Sequence, residues 1–188
     1  EQEASREHLE AVDGLIGQAL ETAPDAAFLA TADHGMNYKR QCWDLKQVLE
    51  EKGVPPRFVL SPERDYYIVH HRNFTGCSWI WLHHPNDAAR TIDSLQALPG
   101  VEEVMSRETA AARFNLNPAH IGDLIVTGDR DTMFGDMDTA HEILPATYRA
   151  HGSLYEMRLP LIIWNQSGPL PPEDTFRFNL DLTRHLYR

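Results

Sequence analysis

The first fifty residues contain three apolar runs, and each has the spacing of a particular element. Between residues 5 and 21 the apolar side chains recur every three or four positions with acidic residues opposite, which predicts a packed amphipathic helix. The short run at 26–32 is typical of a strand buried on both faces of an α/β sheet. A second helix is predicted from about 42 to 52, because Gly53 and the prolines after it end the pattern.

The middle of the chain, residues 54–139, has shorter elements. Short apolar runs bounded by turn residues predict strands, and two longer runs with helical spacing predict helices. The order strand, helix, strand in this region is typical of a small α+β unit. The strands are predicted at 57–60, 66–70, 77–82, 101–105 and 123–127, and the helices at 86–98 and 106–113.

The last part of the chain returns to the first pattern. Residues 159–164 form another run typical of a buried strand, and a closing helix is predicted over 176–187. We therefore predict an α/β core made of residues 1–53 and 140–188, interrupted by an α+β insert at 54–139.

Composition and charge narrow the classes of partner. A formal net charge of −11 repels a nucleic-acid backbone, and no run of basic residues offsets it locally. The apolar runs are far shorter than the ~20 residues that cross a membrane. Cys42 and Cys77 form neither a C-x-x-C pair nor a disulfide framework, which favours free thiols in a reducing cytoplasm. We expect no nucleic acid or membrane as a partner, and a cytoplasmic location.

The first candidate for chemistry is the string Asp33-His34-Gly35, which follows the apolar run at 26–32. Open α/β folds place ligands at the carboxyl edge of the sheet, where such a run ends. A carboxylate and an imidazole are ligands that zinc accepts readily and that manganese or iron tolerates. Gly35 permits the backbone turn that both side chains need to reach one ion. An isolated string of this kind is more often a capping acid beside a buried histidine.

A second string supports the metal interpretation. His151-Gly152-Ser153 lies in a predicted loop that leads to the predicted strand at 159–164. A loop in that position could bring another imidazole to the sheet edge that carries Asp33.

The two strings together resemble a known family. DHGM at 33–36 and HGSLYEMRLP at 151–160 are similar to the C-terminal half of the type I phosphodiesterase/nucleotide pyrophosphatase branch of the alkaline phosphatase superfamily. Within that branch, GDLIVTGDRDTMFG at 122–135 most resembles the phosphonoacetate hydrolases. The resemblance implies a three-layer α/β sheet core, present here in part, with the α+β insert as a cap-like subdomain.

The resemblance also implies roles for four residues. Asp33 and His34 match the Asp-His pair on one zinc ion of a two-zinc site, and His151 matches the late histidine on the other. Mn²⁺ or Fe²⁺ could replace zinc. Lys39 resembles the basic residue that holds a carboxylate or phosphoryl group of the substrate. His141 is a further candidate for contact with the phosphoryl group or for orienting the metal ligands.

The implied reaction is zinc-dependent hydrolysis of the C–P bond of a phosphonate, phosphonoacetate giving acetate and phosphate, or of a related phosphate ester. The alternatives are a nucleotide pyrophosphatase or phosphodiesterase and, in another class, a non-catalytic structural or interaction fragment. The expected partner is a small anionic phosphonate or phosphate, and a homodimer is possible. The threonine nucleophile and the remaining zinc ligands are expected upstream of Glu1, so the 188-residue chain alone is predicted to be inactive.

Overall fold

The computed structural model describes residues 2–61, 72 and 74–186, which form a mixed α/β fold. The helices in this part of the chain are α1 Gln2–Thr22, α2 Leu45–Glu51, α3 Ala88–Gln96, α4 Arg107–Phe114 and α5 Asn179–Leu186. The strands are β1 Phe28–Thr31, β2 Asn37–Tyr38, β3 Gln41–Trp43, β4 Phe58–Leu60, β5 Cys77–Trp81, β6 Val101–Ser106, β7 Leu124–Gly128, β8 Thr132–Phe134, β9 His141–Ile143, β10 Arg149–Ala150 and β11 Leu161–Trp164.

The chain divides into two compact units, residues 1–33 with 159–188 and residues 34–158. These boundaries differ from those predicted at 53/54 and 139/140. Segments 34–53 and 140–158 pack with the predicted insert, because the apolar face of α2 lies on the same core as β5, β7 and α3. The insert at 54–139 stays a prediction.

In the first unit, β1 and β11 pair antiparallel, with Phe28 opposite Trp164. Both predicted strands are confirmed, but the prediction that they are buried is wrong. Each pairs only with the other among the described strands, so Ile162 and Trp164 are 53% and 60% exposed. Helix α1 is confirmed as well, yet its Leu9 and Leu15 stay exposed rather than packed.

In the second unit, the main sheet has the strand order β4-β5-β7-β6 with antiparallel pairing throughout. Its core is formed by side chains of β5, β7, α2 and α3, which exclude water from one another. The predicted strands and helices of this sheet are confirmed, apart from the strand predicted at 66–70, which lies outside the described residues.

A smaller sheet, β8-β3-β9, lies beside the main one in the same unit. The helix predicted from residue 42 begins only at Leu45, because Gln41–Trp43 pairs with β8 and β9. Asp44 then caps α2, and its carboxylate accepts from the backbone N–H groups of Lys46 and Gln47. None of the described helices is long and apolar enough to cross a membrane.

Candidate functional site

Two of the predicted metal ligands, His34 and His151, lie side by side in the second unit. Their rings stack with the centroids 3.5 Å apart and the planes at 18°. The contact follows from the short antiparallel pair β2–β10, which sets Ala150, next to His151, opposite Asn37. The backbone N–H of Gly35 also donates to the Glu156 carbonyl at 2.8 Å. The chain around His34 is thus joined to the loop that carries His151.

The loop at His151 has little freedom to move. The carbonyl of His151 accepts from the Gly76 N–H at 2.9 Å. Gly152 has a φ of +96°, and a Cβ there would lie 2.0 Å from the Thr75 hydroxyl oxygen. Only glycine fits at position 152, so the backbone at His151 and Gly152 is held in place by contacts with Thr75 and Gly76.

The ring of His34 has a defined hydrogen bond. Its Nδ1 lies 3.0 Å from the Gly35 carbonyl oxygen, which can only accept, so Nδ1 carries the proton. A neutral imidazole that is protonated on Nδ1 carries its lone pair on Nε2, and the neutral imidazole is the form of histidine that binds metal ions.

Asp33, the third predicted ligand, is exposed and belongs to the other compact unit. Its share in a metal site with His34 stays a prediction. In the described part of the chain, no three His, Cys, Asp or Glu residues are grouped closely enough to hold an ion by themselves. The structure therefore brings two imidazoles together, fewer than the three or four protein ligands of a zinc site.

Lys39, predicted to bind substrate, is fully buried. Its Nζ donates to Glu156 Oε1 at 2.9 Å, to the Arg130 carbonyl at 2.9 Å and to Ser153 Oγ at 3.3 Å. An ammonium has three hydrogens, and these three acceptors use them all. The structure thus places the charge in an internal ion pair, and contact with a substrate stays a prediction.

Glu156, the partner of Lys39, was not predicted from the sequence. Its carboxylate accepts from Ser153 N at 2.8 Å, from Ser153 Oγ at 2.6 Å and from Asn37 Nδ2 at 2.7 Å. Burial raises the pKa of this carboxyl, but the hydrogen bonds from Ser153, Asn37 and Lys39 outweigh it and hold the pKa below its usual range. The available signal was the spacing of Ser153 and Glu156, because S-x-x-E is a capping box and the structure forms one here.

His141, the second predicted substrate contact, lies in β9. Its ring stacks on Trp43 with the centroids 3.9 Å apart, and its Nε2 lies 3.1 Å from Gln41 Oε1. Trp43 faces it directly across the β3–β9 pair. These contacts fix the ring within the small sheet, and a role with substrate stays a prediction.

The two cysteines are free thiols, as predicted. Burial raises the pKa of Cys42 to about 12, so at neutral pH it is the protonated, poorly nucleophilic form.

Comparison with known proteins identifies the family. The family model for type I phosphodiesterase / nucleotide pyrophosphatase matches residues 1–154, more than half of the chain. This chain belongs to the type I phosphodiesterase / nucleotide pyrophosphatase family. The predicted branch of the alkaline phosphatase superfamily is therefore confirmed.

Several solved structures have a fold similar to that of this chain. Phosphonoacetate hydrolase from Sinorhizobium meliloti 1021 in complex with phosphonoacetate is 30% identical, with a TM-score of 0.67 over 78% of this chain and 38% of its own. The same enzyme in complex with phosphonoformate is 29% identical over the same shares. Murine ectonucleotide pyrophosphatase / phosphodiesterase 5 is 16% identical, with a TM-score of 0.52 over 80% of this chain and 37% of its own, and supports the fold alone. This chain spans less than two fifths of the length of these relatives.

Proposed function

We propose that this chain supplies metal-binding histidines to a zinc-dependent hydrolase of phosphonates or phosphate esters, with phosphonoacetate as the favoured substrate. The observation that carries the proposal is the stacked pair His34 and His151, two imidazoles that come together from positions more than a hundred residues apart. The family match supports hydrolysis at phosphorus. The greater identity to a phosphonoacetate hydrolase, 30% against 16% for the nucleotide pyrophosphatase, supports the substrate.

The chemistry of the donor set fits zinc. Imidazole nitrogen is a preferred zinc ligand, and the hydrogen bond from His34 Nδ1 to the Gly35 carbonyl orients Nε2 for coordination. The two adjacent imidazoles come from separate segments, and each could serve one ion of a two-metal site. We propose Asp33 as a further ligand beside His34. Such ions would supply Lewis acidity toward the phosphoryl oxygens.

The negative charge of the chain favours a metal-dependent site over a metal-free site for an anionic substrate. A net charge of −11 repels phosphonoacetate, which carries both a phosphonate and a carboxylate. Bound divalent ions are the largest local charges in a site and would reverse this repulsion. The charge of Lys39 is balanced within its internal ion pair, so the proposal assigns recognition of the phosphoryl group mainly to the metal site, with Lys39 and His141 as further candidates.

The proposed location is the cytoplasm. Cys42 and Cys77 are both free, and free thiols persist in reducing compartments.

Metal binding tests the site directly. Zinc affinity of the 188-residue chain, measured by competition with a chromophoric chelator, should fall by about tenfold or more in His34→Asn and in His151→Asn. His120→Asn is the matched control, because His120 is an exposed histidine of the same compact unit. Equal affinity of all four chains would refute the proposed ligands, and a chain that binds no zinc would favour the non-catalytic alternative.

Substrate assays separate the enzyme alternatives. The whole protein that carries this chain should release phosphate and acetate from phosphonoacetate, and His151→Asn should abolish the release. Preferential cleavage of a nitrophenyl ester of a nucleoside monophosphate, without turnover of phosphonoacetate, would instead establish the nucleotide phosphodiesterase alternative. The 188-residue chain alone should show no turnover, because its described residues do not form a complete ligand set.

A further inference from the structure

We propose that the buried ion pair of Lys39 and Glu156 positions His34 and His151 for metal binding. This inference rests on the proposed function, because it assigns a purpose to the spacing of two proposed ligands. Lys39 and Glu156 are positioning residues in this proposal, since both side chains are buried and bond to each other.

The position of the ion pair is the first support. Lys39 lies five residues after His34, and Glu156 lies five residues after His151, so the pair joins the same two chain segments as the stacked rings. The backbone of Glu156 makes a second link, because its carbonyl accepts from the Gly35 N–H at 2.8 Å. One residue of the second segment therefore holds both ends of the first.

The completeness of the hydrogen bonding is the second support. Asn37 Nδ2 and Lys39 Nζ share Glu156 Oε1, at 2.7 and 2.9 Å, while Ser153 donates twice to Oε2. The side chains of Lys39 and Glu156 are 0% and 1% exposed. A fully satisfied polar network in a low dielectric is rigid, because every alternative arrangement leaves a buried polar group without a partner.

Close packing also restricts the positions that the segment after His151 can take. A Cβ at Gly76 would lie 2.4 Å from Ser153 N, so the segment after His151 packs directly on the backbone of residue 76. The segment cannot shift to compensate for a lost ion pair without breaking this packing. The charge left unpaired by loss of its partner can reach water only if this packing opens, so loss of the pair should appear as displacement or mobility of the His151 ring.

Ring geometry gives a readout that does not require metal. Stacked imidazoles shift each other's ring proton resonances, so a ¹H–¹³C spectrum of histidine-labelled chain should show two displaced signals, assigned with His34→Asn and His151→Asn. Lys39→Met and Glu156→Gln should return both signals toward the positions of exposed histidines. The same variants should lower zinc affinity by about tenfold or more, the usual effect of removing a residue that orients ligands.

Arg107→Met is the matched control. It breaks another ion pair of the same unit, between Arg107 of α4 and Asp123, whose carboxylate also accepts from the Leu82 N–H at 2.8 Å. It should leave the two histidine signals and the zinc affinity unchanged. If Lys39→Met chains do not fold, Glu156→Gln carries the test, because it removes the negative charge of the pair and keeps the size of the side chain.

The outcomes separate this inference from the proposed function. Altered histidine signals in Lys39→Met, in a chain that binds no zinc, would support the positioning role and refute the metal site. Unchanged signals and unchanged zinc affinity in a folded Lys39→Met or Glu156→Gln chain would overturn the positioning role, while zinc binding by the wild type would still support the proposed function.

Discussion

The buried ion pair makes a quantitative prediction about stability. Lys39→Met keeps the volume of the side chain but leaves the Glu156 carboxylate buried without a cation, and breaking a buried pair costs about 3–5 kcal/mol. Glu156 keeps its hydrogen bonds from Ser153 and Asn37, so we expect the loss near the lower end, about 3 kcal/mol. Glu156→Leu should cost about 5 kcal/mol, because the ammonium and the donors of Ser153 and Asn37 all lose their acceptor.

An exposed ion pair of the same unit provides the comparison. Arg72 and Glu142 are bonded through both carboxylate oxygens, but their side chains are 43% and 34% exposed. Solvent screens such a pair, so Glu142→Gln should cost much less than Lys39→Met. Glu156→Gln and Glu142→Gln are the same substitution in a buried and in an exposed pair, so the difference between them reports the effect of burial.

Urea denaturation is the appropriate assay. Tryptophans 43, 79 and 81 lie in the 34–158 unit, whereas Trp164 lies in the other. A Trp164→Phe background therefore lets fluorescence report on the unit that contains the ion pair. The midpoint should fall at an unchanged slope in Lys39→Met, because stability changes without a change in exposed surface. A loss below 1 kcal/mol, or one no larger than that of Glu142→Gln, would refute the reasoning.

Three further predictions concern single side chains. Gly152→Ala should destabilise the chain by about 2 kcal/mol or more, from the positive φ and the contact with Thr75, whereas Gly14→Ala in the open face of α1 should stabilise it by about 0.5–1 kcal/mol; thermal melts compare them. The pKa of Glu156 in the folded state lies below its ordinary 4.5, so its contribution to the free energy of unfolding is complete above that value and is lost as the pH falls through the folded pKa. The difference in stability between wild type and Glu156→Gln should therefore be constant above about pH 5.5 and become smaller below 4.5. A difference that grows in acid would contradict the assignment. Cys42 should resist iodoacetamide at pH 8 until the chain unfolds, and mass spectrometry showing rapid native labelling of Cys42 would contradict its burial and its pKa of about 12.

The elements with strong periodicity could be predicted from the sequence. Helices α1, α3 and α4 and strands β5 and β7 have enough residues for the apolar pattern to identify them. The strands of two or three residues, such as β2 and β10, could not, because their pairing depends on contacts between distant segments. Residues 42 and 43 were assigned to a helix because their pattern continues into α2, and the cap at Asp44 is what separates the two elements.

The candidate site was predictable to the extent that it carries recognisable strings. His34 and His151 lie in such strings, and the structure brings their rings together. The ion pair beside them could not be predicted, because Lys39 and Glu156 are 117 positions apart and only the fold places them in contact, and the S-x-x-E spacing indicated Glu156 alone. A lysine near a candidate site indicates an anionic ligand, and in the structure Lys39 is buried and pairs with the internal carboxylate of Glu156. Burial of β1 and β11 was inferred from composition, which cannot show what a strand packs against.

The central claim is that His34 and His151 together bind a divalent metal ion or a pair of ions. A crystal structure of the chain grown with zinc, with anomalous maps recorded on both sides of the zinc absorption edge, tests it most directly. We predict zinc density within about 2.0–2.1 Å of a ring nitrogen of each histidine. Zinc-saturated crystals with no anomalous density at either ring would contradict the claim.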